Sequence, residues 1–196
     1  MSEMSPTTTA TPIPREALKQ TLRPHLFPEI DGIQTFAVLD GASIPDLVDQ
    51  LYGENKPEFV CLYRGELEPD IAEVAPYLVR LERDAPFTDW LLTEGWGRHW
   101  GIFACSQANL KAVRTHFRRF LMVRDPEGEQ IYFRFYDPRV LPIFLPTCNA
   151  EELKVLFGPL TIYACEAEKG HGLGVYRTEE NQLQAKVIPL TAPGKQ

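Results

Sequence analysis

The sequence predicts an α/β fold: a mixed, mostly parallel sheet flanked by helices, with an appended antiparallel hairpin and a short C-terminal extension. Three observations predict it. Apolar runs of strand length alternate with segments of helical period. Residues 36–40, 44–52 and 59–63 read as strand, helix, strand, and a βαβ unit favours a parallel pair with the helix across one face. Residues 121–123 and 131–136 flank Asp125-Pro126-Glu127-Gly128, whose proline and glycine positions suit a type I turn, so these two strands form an antiparallel hairpin.

The 196 residues make one domain, or one with a small appendage, and 44% hydrophobic residues supply a full core. The expected organisation is a partly disordered N-terminal tail (1–30), an α/β lobe (31–166) and a short extension (167–196). Residues 1–14 are rich in Ser, Thr and Pro and lack the basic start and apolar centre of a signal peptide. The first strand closes on the turn Asp40-Gly41. Ile44, Leu47, Val48, Leu51 and Tyr52 follow at helical spacing, with Ser43 as N-cap and Gly53 at the end. Residues 77–81 are a third strand. Phe87, Trp90 and Leu91 mark a helix that Gly95 closes, and 100–105 are a fourth strand.

Ser106 then caps a helix with Leu110, Val113, Phe117 and Leu121 on its apolar side; Lys111, Arg114 and Arg118 form a basic, solvated stripe on the other. Helical segments at 138–145, interrupted by Pro142, and at 151–157, ended by Gly158-Pro159, precede a last core strand at 160–165. Gly170-His171-Gly172-Leu173-Gly174 reads as a flexible link, and 175–177 and 185–188 as a small hairpin.

A net charge of −7 argues against nucleic acid, whose phosphates need a basic field. No apolar run reaches the length of a membrane span. Cys61, Cys105, Cys148 and Cys165 show no metal-ligand spacing and read as small hydrophobes, which fits the cytoplasm. His25, His99, His116 and His171 lie in unrelated contexts, and no GxSxG, HExxH or phosphate loop is present. The expectation is therefore no catalytic residue, no cofactor and no metal.

The candidate site is residues 130–139, read as a strand that runs into a helix start. Ile131, Phe133 and Phe135 share one face; Tyr132, Arg134 and Tyr136 share the other. Asp137 caps the helix and Pro138 takes its first position. Arg134, Tyr136, Asp137 and Arg139 thus meet at one corner. They form either a recognition cluster or a structural corner in which the arginines pair with carboxylates. Tyr77, Trp96 and Trp100 either line an exposed apolar groove or belong to the core. The free edges of the sheet are expected at the hairpin ending at Tyr136 or at the Tyr77 strand.

Several blocks occur in one order: Leu39-Asp40-Gly41-Ala42, Ala75-Pro76-Tyr77-Leu78-Val79, Gly97 to Phe103 with Trp100-Gly101, Phe133 to Leu141 around Asp137-Pro138-Arg139, then Phe157-Gly158-Pro159. In these blocks the chain resembles the effector chaperone, or adaptor, family of bacterial type VI secretion, a former domain of unknown function. The resemblance implies a non-enzymatic cytoplasmic protein that binds a secreted toxic effector and passes it to the VgrG spike. Family members usually carry a second, mostly helical lobe; the roughly 30 residues after Cys165 are too few for one. A reading of another class is a small-molecule enzyme using a strand-end crevice near Asp40 and Asp137, with a carboxylate of perturbed pKa.

Overall fold

The computed structural model describes residues 13–54, 56–124, 127–167 and 170–190. Its elements, in chain order, are α1 (Arg15–Leu26), β1 (Gln34–Asp40), α2 (Leu47–Tyr52), β2 (Glu58–Cys61), α3 (Pro69–Val74), β3 (Pro76–Leu81), α4 (Pro86–Glu94) and β4 (Gly101–Ser106). There follow α5 (Leu110–Phe117), β5 (Met122–Arg124), β6 (Gln130–Tyr132), α6 (Leu141–Phe144), α7 (Ala150–Phe157), β7 (Leu160–Ala167), β8 (Gly172–Glu179) and β9 (Gln182–Pro189).

Seven strands form one sheet in the order β2-β3-β1-β4-β7-β8-β9, and every neighbouring pair is antiparallel. This corrects the expected mostly parallel sheet. β1 and β2 do run in the same direction across α2, but β3 inserts between them. In the same way β3 and β4 run together across α4 with β1 between them. Two interlocked crossovers of this kind make the split βαβ connectivity of ferredoxin-like folds. β7, β8 and β9 extend it.

Both faces of the central strands β1, β3, β4 and β7 are covered. Ala37, Leu39, Val79 and Phe103 face α1, α2 and α4; Phe36, Val38, Leu78 and Tyr163 face α5, α6 and α7. Strands buried on both faces read as continuous apolar runs, the pattern usual for parallel sheets. That is why the strands were legible and their directions were not. α1 is part of the fold: Leu22 and Leu26 are fully buried, and Lys19 reaches Asp89 of α4 at 3.1 Å. Residues 1–12, read as tail, lie outside the described residues.

Other expectations shift locally. The hairpin β5–β6 pairs Met122 with Tyr132 as a separate two-stranded sheet, so it is no edge of the main one; its turn at 125–126 lies outside the described residues. β6 stops at Tyr132, and residues 135–140 are turn and bend. Ser43 is not a helix cap: its Oγ donates to Asp40 at 2.8 Å, and Asp46 takes the N-cap position of α2. Ser106 donates to Pro159 O, while Asn109 caps α5 by accepting from Ala112 N at 3.0 Å. Pro142 sits in the first turn of α6 and starts that helix rather than breaking it. Gly172 and Gly174 belong to the buried first half of β8, not to a link; a Cβ on Gly174 would meet the Tyr176 hydroxyl at 2.7 Å. β8 and β9 pair over eight residues each, turning at Glu180 and Asn181 with φ of 50° and 61°, and they continue the main sheet.

Leu22→Ala is expected to lower the free energy of unfolding by about 2–5 kcal/mol in urea denaturation, the cost of a cavity under a packed helix. A loss below about 1 kcal/mol would detach α1 from the cooperative unit.

Candidate functional site

One end of the sheet collects the buried acids. β1 ends in Asp40, which lies opposite Pro76 at the start of β3; Leu39 lies opposite Gly101 at the start of β4. Glu166 leaves β7 at the same end, and the segment after β6 crosses it. Asp40, Asp137 and Glu166 are the buried carboxylates among the described residues, at 2%, 5% and 6% exposure, so each needs partners inside the protein.

Asp40 accepts from Ala42 N at 3.3 Å and Ser43 Oγ at 2.8 Å, which folds Gly41–Ser43 into a short 3-10 turn. Its Oδ2 also holds the Arg134 guanidinium, which is half-exposed. Asp137 accepts from Arg139 N at 2.8 Å and grips the Arg139 guanidinium through both oxygens, from Nε at 2.9 Å and Nη2 at 2.7 Å. Its carbonyl accepts from Val140 N and Leu141 N, which leads the chain into α6. Burial alone would push the Asp137 carboxyl up. The hydrogen bonds from Arg139 and the charges of Arg139 and Arg134 outweigh it and hold the group below its ordinary 3.8.

Tyr136 is buried beside this pair. Burial, then the charge of Asp40, pushes its hydroxyl far up, so it stays protonated. Glu166 closes the other side. It accepts from Gly97 N and from His99 N at 2.9 Å, and it pairs with His99 Nδ1. Gly97 at φ 83°, which glycine adopts without strain, and His99 at φ 60° wrap their amides around the carboxylate. Burial raises the Glu166 carboxyl above its ordinary value; the amide of Gly97 and the His99 ring only partly offset it.

The structure therefore brings Arg134, Tyr136, Asp137 and Arg139 together. It does not add the three aromatics to an open groove. Tyr77 is buried, with its hydroxyl on Ala72 O at 2.8 Å, and Trp100 is buried against Trp90 at 5.0 Å. Trp96 is half-buried, stacks on Phe103 and donates from Nε1 to Gly170 O at 2.9 Å. Trp96 and Trp100 line a small pocket beneath Glu166, on the opposite face of the sheet from Tyr136.

Sequence reasoning missed Glu166 and His99, which form no motif. It also took Arg118 for a solvated cation. Arg118 instead donates to the carbonyls of Cys61, Leu62 and Tyr63, at 3.0, 2.9 and 2.6 Å, and fixes the loop after β2. That loop brings the Tyr63 ring to 6.1 Å from exposed Tyr132, whose cross-strand neighbour Met122 is also exposed.

Chemically, this end offers guanidinium faces and exposed aromatic surface. Its carboxylates are engaged as caps and ion-pair partners, and no group of three His, Cys, Asp or Glu placed to hold a metal ion occurs among the described residues. A family model described as a domain of unknown function (DUF4123) matches residues 35–154, well over half of the chain. No curated protein and no solved structure matches significantly.

The stability lost in Asp137→Asn is expected to depend on pH. Because the folded carboxyl titrates below 3.8, its contribution is full at neutral pH and fades as the pH falls through the folded value. Denaturation of wild type and variant at pH 7 and pH 3 checks this: the gap should narrow at the lower pH, and an unchanged gap would mean the ion pair contributes nothing.

Proposed function

We propose that this chain, which belongs to the DUF4123 family, is a non-enzymatic adaptor that binds a type VI secretion effector in the cytoplasm and assists its loading onto the VgrG spike. The observation that carries the reading is where the ordered motif blocks fall. All but the last, Phe157-Gly158-Pro159, lie inside the matched residues, and they supply the sheet-end corner of Asp40, Gly97 to Trp100 and Arg134 to Arg139.

The physics of the corner favours binding. Asp40 and Asp137 each fix a turn and a cation, so the outward guanidinium edges of Arg134 and Arg139, at 46% and 60% side-chain exposure, are held in place for a client. Preorganised donors lose little entropy on binding. Exposed Tyr132 and Met122 add apolar area beside them. Among the described residues, no helix is long and apolar enough to cross a membrane.

The enzyme reading rests on a strand-end crevice near Asp40 and Asp137 with a carboxylate of perturbed pKa, not one used only for capping and ion pairing. Asp40 and Asp137 are both engaged in turns and ion pairs, so that reading loses its main support.

The proposal expects a toxin gene beside the gene of this protein, and co-expression with that toxin tests it. The two should co-purify, and Arg134→Glu with Arg139→Glu should weaken the complex by at least about tenfold. Lys111→Glu, an exposed charge on α5, should change it by less than about twofold. A far-UV spectrum and melt show that the double variant is folded; Arg139→Gln, which keeps the backbone bond to Asp137, is the milder form. Equal affinity for wild type and folded variants would move the client site elsewhere, and failure to co-purify would reject the adaptor role.

A further inference from the structure

The two edges of the main sheet are β2 and β9, not the strands the sequence suggested. They differ in how they are guarded. β2 is four residues long; Glu58 on it is paired with Arg80, and the carbonyls at and beyond its end are taken by Arg118. β9 is eight residues long and pairs with β8 without a bulge. Its only charged residue is Lys186, and its only proline is its last residue. Natural sheets blunt such edges with charges, bulges or short strands, because open N–H and C=O groups template another strand.

The β8–β9 register sets what each face of β9 offers. Val175 lies opposite Lys186 and Arg177 opposite Gln184, on the face toward α1. There His25 of α1, Arg177 and Lys186 line one shallow groove. No ion pair engages Arg177 or Lys186 among the described residues. The other face of β9 carries Leu183, Ala185 and Val187, with Leu183 packed on the core and Val187 exposed. A −7 chain thus presents, along one side of an edge strand, cations with no ion-pair partner among the described residues, and apolar side chains along the other. A second copy fits this poorly: antiparallel self-pairing about the middle of β9 gathers both Lys186 and both Arg177 side chains onto one face.

We propose that the outer edge of β9 docks an extended segment of a partner polypeptide as an added strand. Acidic side chains at alternate positions lie over Arg177 and Lys186, and apolar side chains between them extend the face of Leu183, Ala185 and Val187. Main-chain hydrogen bonds supply affinity, and the alternation supplies selectivity. The inference rests on β9 with Arg177 of β8 beside it, and survives failure of the sheet-end adaptor reading.

The test uses the full chain and a labelled synthetic octapeptide alternating glutamate and valine, followed by fluorescence anisotropy. The glutamate peptide should bind, its lysine–valine counterpart at least about tenfold more weakly, and its backbone N-methylated form not at all. Arg177→Glu with Lys186→Glu, both at exposed positions, should reverse the order of the two peptides while leaving the melt unchanged. Four outcomes overturn the proposal: no binding of the glutamate peptide, equal affinity for the two peptides, retained binding after N-methylation, or no response to the double variant. A wild-type dimer that Val187→Pro converts to monomer would also overturn it, by giving the edge to a second copy.

Discussion

The rest of the structure depends on the burial of three carboxylates at one end of an antiparallel sheet. Asp40, Asp137 and Glu166 sit where water cannot solvate them, so each must be answered by donors inside the protein: backbone N–H groups for all three, with Arg134 on Asp40, Arg139 on Asp137 and the His99 ring beside Glu166. The answers come from distant parts of the chain: Asp40 takes Arg134 from the segment after β6, and Glu166 takes Gly97 and His99 from the loop before β4. The loops at this end are therefore bound to the sheet and to one another. Removing one partner leaves a buried charge unmatched, which is costlier than losing an exposed pair.

The same arrangement explains how a rigid corner still presents charge outward. The carboxylates are buried, while the guanidiniums of Arg134 and Arg139 are about half in solvent. An arginine has five donors, and Asp137 occupies only the inner ones of Arg139. The outward donors are preset by the inward bonds. This is an arrangement suited to recognition. His116 marks the contrast: it is buried within the fold, bound to Leu156 O at 2.8 Å, and burial lowers its pKa.

Much of this was legible in the sequence, and the limits have physical causes. The apolar runs behind β1, β3, β4 and β7 appear as strands because both faces of the sheet are buried. Strand order does not follow from periodicity: β1-α2-β2 satisfies the βαβ pattern whether or not β3 enters between the strands. The corner residues Arg134 to Arg139 were legible because Asp137-Pro138-Arg139 is a turn signature with its own chemistry. Which carboxylate Arg134 would meet was not, since Asp40 lies far away in sequence. Glu166 reads as an ordinary charge ending an apolar run, and only the positive φ values at Gly97 and His99 reveal its role. Trp100 and Tyr77 resolve to core, as large aromatics at strand starts commonly do.

The central proposal is that the sheet end, with its loops held by buried carboxylates, receives a client. Hydrogen–deuterium exchange of the protein with and without the toxin proposed as its client measures this directly. The account predicts added protection in residues 41–44, 96–100 and 133–140, with little change on α1. Protection confined to α1 or α5, or no change at the sheet end in a complex that has formed, would contradict it.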